Sequence, residues 1–181
     1  MPGMAVFGLF RRRPHERAGF ELYGAAVRAA REPVLYERLG VPDTFDGRFD
    51  LVGLHAVLLI RRLRGAPVPG PALAQATFDA MFSDMDDMLR ELGLDLGVPR
   101  RVKAMWEALH GRSAAYMPVM TDEAALTAAL ARNVWRGEAP AGGPETLAVY
   151  ALRQHALLAA RSLEAFRTGE AGFAPVLEHT A

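Results

Sequence analysis

Asp46-Gly47-Arg48-Phe49-Asp50-Leu51-Val52-Gly53-Leu54-His55-Ala56-Val57-Leu58-Leu59-Ile60-Arg61-Arg62-Leu63-Arg64 is the stretch from which the fold can be read. Its apolar residues recur on almost every side of a helical projection, the pattern of a helix that other helices surround. The run Leu51 to Ile60, with His55 inside it, is about half of the ~20 residues a bilayer crossing needs, which points to a buried core helix. Arg48, His55 and Arg62 recur in steps of seven and form one stripe, expected to face water or a carboxylate.

Gly and Pro clusters punctuate the chain on both sides of this helix, at Glu32-Pro33, Gly40 to Pro42, Gly65 to Pro71, Gly93 to Pro99, Met117-Pro118 and Gly137 to Pro144. The periodicity between them predicts helices over Ala18 to Arg31, Pro33 to Leu39, Pro71 to Leu92, Pro99 to Tyr116, Asp122 to Arg136 and Pro144 to Arg167. Pro71, Pro99 and Pro144 suit a first helical turn, and Thr121 with Glu123 is the expected cap of the helix after it. No stretch alternates as a strand does. The expected fold is therefore all-α, a single-domain bundle of about six to seven helices around the central one. A flexible N-terminal segment is expected over 1–17, the helical domain over 18–168 and a C-terminal tail over 169–181.

Lys and Arg total 21 and Asp and Glu total 21, so no global positive field exists to hold a polyanion, and average charge argues against nucleic acid. Cysteine is absent, which excludes disulfides, thiolate catalysis and Cys-based metal sites and suits a reducing compartment. Met1 to Phe10 is apolar and precedes Arg11, Arg12 and Arg13, the reverse of a secretory signal's charge order. It reads as a frayed terminus or as a weak peripheral membrane contact through Phe7, Leu9, Phe10 and the arginines.

No Gly-rich phosphate loop is present, and Ser83, Ser113 and Ser162 all lie in predicted helices outside any nucleophile-elbow context. Glu107 and His110 have the Glu-x-x-His spacing of four-helix di-iron proteins, but the motif occurs once and projects with Lys103 to the polar side of its helix. The expectation is a non-enzyme without cofactor or metal.

The helix from Pro71 carries Phe78, Met81, Phe82, Met85, Met88, Leu89 and Leu92 on one broad face, readable as core or as an adaptable groove for apolar partners. Gln75, Asp79, Asp86 and Arg90 flank it, with Asp84, Asp87 and Glu91 on the other side, and Asp86 is placed to pair with Arg90. The following helix opens with Arg100, Arg101 and Lys103, and its Arg101 and Arg112 are expected to reach Asp79 or Asp86 across an antiparallel pair. Candidate partner-binding residues are Phe78, Asp79, Phe82, Asp84, Met85, Asp86, Arg90, Arg101, Lys103, Arg112 and Tyr116.

Gln75, Phe78-Asp79-Ala80-Met81-Phe82-Ser83-Asp84-Met85-Asp86 and Leu89-Arg90-Glu91-Leu92-Gly93 together resemble the signature segment of the ubiquinol-cytochrome c chaperone family. Val102-Lys103-Ala104-Met105, Gly111-Arg112 and Ala115-Tyr116 are similar to the segment that follows there. Leu22-Tyr23, Leu35-Tyr36, Val41 to Phe49 and Leu130 to Trp135 also resemble parts of that family, so the likeness spans Tyr23 to Trp135. It implies an all-helical chaperone of the ubiquinol-cytochrome c reductase with cytochrome b, or another respiratory membrane protein, as client and the ribosome as a further partner. Ala- and Arg-rich usage and the short N-terminus favour a bacterial homologue, cytoplasmic and peripheral to the inner membrane. A ribosome- or nucleic-acid-docking adaptor built on Arg100, Arg101 and Lys103 is the alternative, and a helical metal-binding enzyme the weaker one.

Overall fold

The computed structural model describes residues 15–91 and 98–176. Among these residues the chain forms helices and turns without a strand: α1 (Glu16–Ala30), α2 (Pro33–Glu37), α3 (Phe45–Arg64), α4 (Gly70–Glu91), α5 (Val98–Tyr116), a 3-10 turn (Met117–Val119), α6 (Glu123–Val134), α7 (Gly143–Ala160) and α8 (Leu163–Arg167). The all-α, single-domain bundle is as expected, and α2 and α8 are one-turn pieces.

α3 is the central helix and packs against α1, α4, α5, α6 and α7. Every residue from Gly53 to Ile60 is buried, and Leu51, Leu54, Leu58, Leu59 and Leu63 have no exposed surface. Each such leucine contributes about 1.5–3 kcal/mol by leaving water, so neighbours on all sides are what stabilise this helix. Thr44 starts it by accepting the amide of Gly47 at 3.2 Å, and Arg61, Arg62 and Arg64 oppose the negative end of its dipole.

α1 and α4 pack closely along their lengths. At their crossing a Cβ on Gly19 would lie 2.5 Å from the carbonyl of Ala76, so only glycine lets the two backbones meet. No membrane-crossing helix, long and apolar enough, exists among the described residues. The N-terminal membrane contact expected for Met1 to Phe10 lies outside the described residues.

The stripe Arg48, His55 and Arg62 does not face water as a unit. Arg48 is exposed and pairs with Asp43 at 2.6 Å. His55 is fully buried: its Nδ1–H donates to the Leu51 carbonyl at 2.7 Å, which leaves Nε2 to accept from the Tyr150 hydroxyl at 2.7 Å, while Phe173 meets the ring edge-on. Arg62 reaches α7, donating to the carbonyls of Leu158 at 2.9 Å and Arg161 at 3.1 Å. Those are carbonyls that a continuing helix would use, so the single helix expected over Pro144 to Arg167 breaks. Arg161 turns extended (φ −75°, ψ 140°) and Ser162 caps α8 through the amide of Ala165. The cap of α6 is Asp122, not Thr121, with its carboxylate accepting from the amide of Ala125 at 3.0 Å.

The body also extends beyond residue 168, the expected end of the domain. Ala171 and Val176 are buried, the Gln154 amide both donates to and accepts from the backbone of Ala174, and Glu32 accepts the amide of Val176 at 3.0 Å. Side-chain-to-backbone pairing of this kind has no periodic signature, so 169–176 reads as tail in the sequence.

Gly19→Ala is expected to cost about 1–3 kcal/mol in urea unfolding, because the added methyl forces α1 from α4. Burial lowers the pKa of His55 to about 4, against an ordinary value near 6.5, with the Leu51 carbonyl opposing the shift. The unfolded chain therefore takes up the proton first, so this residue's contribution is intact above pH 6.5 and is lost as pH falls towards 4. Unfolding free energy should drop by about 2 kcal/mol between pH 7 and pH 5, and His55→Gln should remove that drop.

Candidate functional site: the α4–α5 pair and its recesses

α4 turns Leu73, Thr77, Met81, Met85 and Leu89 into the core, which leaves Phe78, Phe82 and Met88 half-buried along its edge. The Phe78 and Phe82 rings lie 4.5 Å apart. The Met-Phe stripe is therefore core along its centre and accessible at its margins. α5 approaches α3 at Gly53, where an added Cβ would lie 3.3 Å from the side chain of Leu109. Along α5, Leu109 and Tyr116 are buried, Val102 and Met105 half-buried, and Trp106 is exposed.

One recess of about 180 Å³ opens where four helices and α2 converge. α1 supplies Tyr23 and Val27, α2 Tyr36, α3 Phe45, Phe49 and Val52, α4 Met85 and Met88, and α5 Met105; Arg31, Arg48 and Asp84 are its charged members. The Tyr23 hydroxyl donates to the Asp84 carboxylate at 2.7 Å, and the Tyr36 hydroxyl to the Ala30 carbonyl at 2.8 Å. Burial first, then the Asp84 hydrogen bond, pushes the Tyr23 pKa well up, so this phenol stays neutral and acts as a donor. Phe45 is 45% exposed, so an apolar wall is offered to solvent.

A buried charge cluster holds this corner together. Asp50, with no exposed surface, ion-pairs with Arg112 of α5 and with Arg136 after α6, the latter at 2.9 Å. Arg112 also lies 5.3 Å over the Phe49 ring. Arg136 takes a left-handed φ of 55°, a conformation that costs a non-glycine residue about 1–2 kcal/mol. Its guanidinium contacts to Asp50 and to the carbonyls of Asn133 and Val134 offset that strain. Burial pushes the Asp50 carboxyl up from the usual carboxylate range, against the pull of Arg112 and Arg136.

The expected partner-binding residues divide by accessibility. Asp84 is exposed beside the recess, Phe78, Phe82, Asp79 and Asp86 are half-buried, and Arg90, Arg101 and Lys103 are exposed. Asp86 and Arg90 pair at 2.8 Å as the spacing predicts, and Asp79 accepts from the Gln75 amide at 2.8 Å. Three placements differ from expectation. Arg112 turns inward to Asp50 instead of reaching Asp79 or Asp86. Tyr116 is fully buried and packs the core, and Met85, 3% exposed, meets a partner only as the floor of the recess. Glu107 and His110 point outward, Glu107 to Lys103 at 3.6 Å and His110 stacked on Trp106 at 5.3 Å between centroids. Among the described residues no group of three or more His, Asp or Glu is placed to hold a metal ion.

The Asp50 cluster and the aromatic recess were not anticipated from the sequence. Asp50 did leave a signal, as the one carboxylate within the apolar run Phe49 to Ile60. Tyr23, Tyr36, Phe45 and Phe49 lie in three separate segments, and only their convergence with Met88 and Met105 makes a site.

The fold is an all-helical body with a Met- and aromatic-lined recess, a lining that can re-pack around apolar groups. The sequence pattern of the family described as Ubiquinol-cytochrome C chaperone matches residues 37–173. The chain is similar to the crystal structure of the Cbp3 homolog from Brucella abortus, at 35% identity and a TM-score of 0.81, over 92% of this chain and 95% of that one. No curated protein matches it. The chain belongs to the ubiquinol-cytochrome c chaperone family.

Removing the Asp50 carboxylate leaves the nearly buried Arg112 guanidinium without its counter-ion, while Arg136 stays half in solvent. Asp50→Ala should lower unfolding free energy by about 3–5 kcal/mol, whereas Asp86→Ala, at an exposed pair, should cost under about 1 kcal/mol. Equal losses in urea titrations of the two variants would refute the assignment of Asp50 as the structural anchor.

Proposed function

We propose that this protein is a non-enzymatic assembly chaperone of the ubiquinol-cytochrome c reductase, bacterial and cytoplasmic, working against the inner membrane. Its client is newly made cytochrome b, an apolar segment of which occupies the recess between α1, α3, α4 and α5. The observation that carries this reading is the convergence in one recess of residues from segments far apart in the chain, from Tyr23 to Met105. Three methionines in the lining can re-pack around apolar side chains of different shape, which suits a holder of membrane segments better than a rigid pocket would. Arg31, Arg48 and Asp84 give the recess both signs of charge, so a segment with either sign at its ends finds a counter-ion. Asp79, Phe82, Asp86 and Arg90 are further docking residues on other faces of α4, while Met85 forms the floor of the recess and Arg112 and Tyr116 support α5 from within.

A ribosome-docking role has its own observation, the exposed Arg100, Arg101 and Lys103 at the start of α5. The two readings separate in one experiment. Affinity purification of the tagged full chain from its native host should recover cytochrome b, and Phe45→Asp with Met88→Asp should reduce that recovery roughly tenfold without changing the thermal melt. Recovery of ribosomal proteins that falls steeply with salt and survives these substitutions would assign the ribosome to the basic start of α5. Undiminished cytochrome b on the double variant would remove the recess from the mechanism, and its absence with the wild-type chain would remove the client.

A further inference from the structure

A second recess, of about 460 Å³, shares no lining residue with the first and lies between the C-terminal half of α3, α4 and α5. Val57, Ile60, Phe78 and Leu109 make an apolar floor. Of its ten lining residues three are basic, Arg61, Arg64 and His110, and none is acidic. That is the reverse of the first recess, where both signs of charge are present. Arg61 is held at the rim by a 3.2 Å bond from its guanidinium to the Met117 carbonyl, and among the described residues neither Arg61 nor Arg64 has a carboxylate partner. Trp106 lines the recess with 44% of its surface exposed.

The same end of α3 leads into the turn Pro67-Val68-Pro69, where Val68 is 89% exposed, the most exposed of the large apolar side chains described. An apolar tip, an accessible tryptophan and unneutralised arginines around a greasy recess are the elements of an interfacial membrane contact. The volume is within the range of small-ligand sites. Ser113 is the lone uncharged polar side chain in the lining, so an extended peptide would find few partners for its backbone, whereas an acyl chain needs none.

We infer that this face seats on an anionic phospholipid surface, with one acyl chain in the recess and the lipid phosphate between Arg61 and Arg64. Trp106 lies at the headgroup level and Val68 enters the interface. The contact is independent of the client recess, and it gives a chaperone a way to stay at the bilayer while the other recess is occupied.

The test is flotation of the full chain with vesicles of phosphatidylcholine and with vesicles in which part of the phosphatidylcholine is replaced by phosphatidylglycerol. Wild-type protein should float with the anionic vesicles only. Its tryptophan emission should shift to the blue, a change that reports Trp106 because Trp135 is already buried. Arg64→Glu and Trp106→Ser should each reduce flotation roughly tenfold with an unchanged thermal melt and unchanged recovery of cytochrome b. Equal flotation of both variants and wild type would overturn the inference. So would binding lost instead on Phe7→Ser, Leu9→Ser and Phe10→Ser, which would assign the membrane contact to the N-terminal segment. Saturable binding of monomeric dodecanoate without flotation would likewise overturn it, in favour of a free fatty acid.

Discussion

The rest of the bundle depends on one constraint, that α3 is covered by other helices through its middle while carrying polar groups that its neighbours must satisfy. Each of those groups is met by a different helix. Asp50 takes Arg112 from α5 and Arg136 from the end of α6, His55 takes the hydroxyl of Tyr150 on α7, and Arg62 takes the last carbonyls of α7. A buried polar group without its partner costs several times what a satisfied one contributes, so these pairings select one arrangement of helices from the many that hydrophobic burial alone would permit. Burial supplies most of the stability, and the matched groups decide which packing receives it.

The same constraint shapes the surface. With Arg112 drawn to Asp50 and Leu109 seated at Gly53, α5 is fixed in rotation against α3, and Trp106, Lys103 and Glu107 are turned outward. α4 is fixed in turn by its close crossing with α1 at Gly19 and Ala76. Two helices whose rotation is set by opposite neighbours do not close fully on each other. The Met-aromatic recess and the basic recess are the gaps that remain, and they differ in charge because different ends of α3 line them, Arg48 with Asp84 nearby at one end and Arg61 with Arg64 at the other.

Much of the helical framework was legible because it rests on local physics. The all-round apolarity of Asp46 to Arg64 marks a central helix, the Gly-Pro clusters mark its neighbours, and the spacing of Asp86 and Arg90 gives their ion pair. The errors share a cause. Helical projection sends Arg112 towards α4, runs Pro144 to Arg167 as one helix and leaves 169–176 as tail, and each outcome was set by a partner distant in the chain: Asp50, Arg62 and Gln154 respectively. Tyr116 and Met85 were placed among docking residues because helical projection ranks residues by face, and a face does not say how deeply the neighbouring helix covers it.

By itself the sequence determined that this protein is a helical bundle without thiol chemistry, organised about one apolar helix, and its motifs carried the likeness to the chaperone family. Those properties follow from composition and from the 3.6-residue period, which each segment expresses alone. Only the tertiary structure decided which polar groups enter the core, where the last helix breaks, and that Tyr23, Tyr36, Phe45 and Met88 share one recess while Arg61, Arg64 and Trp106 share another. A recess is the space between helices, and that space exists only once their rotations are fixed by contacts across the chain.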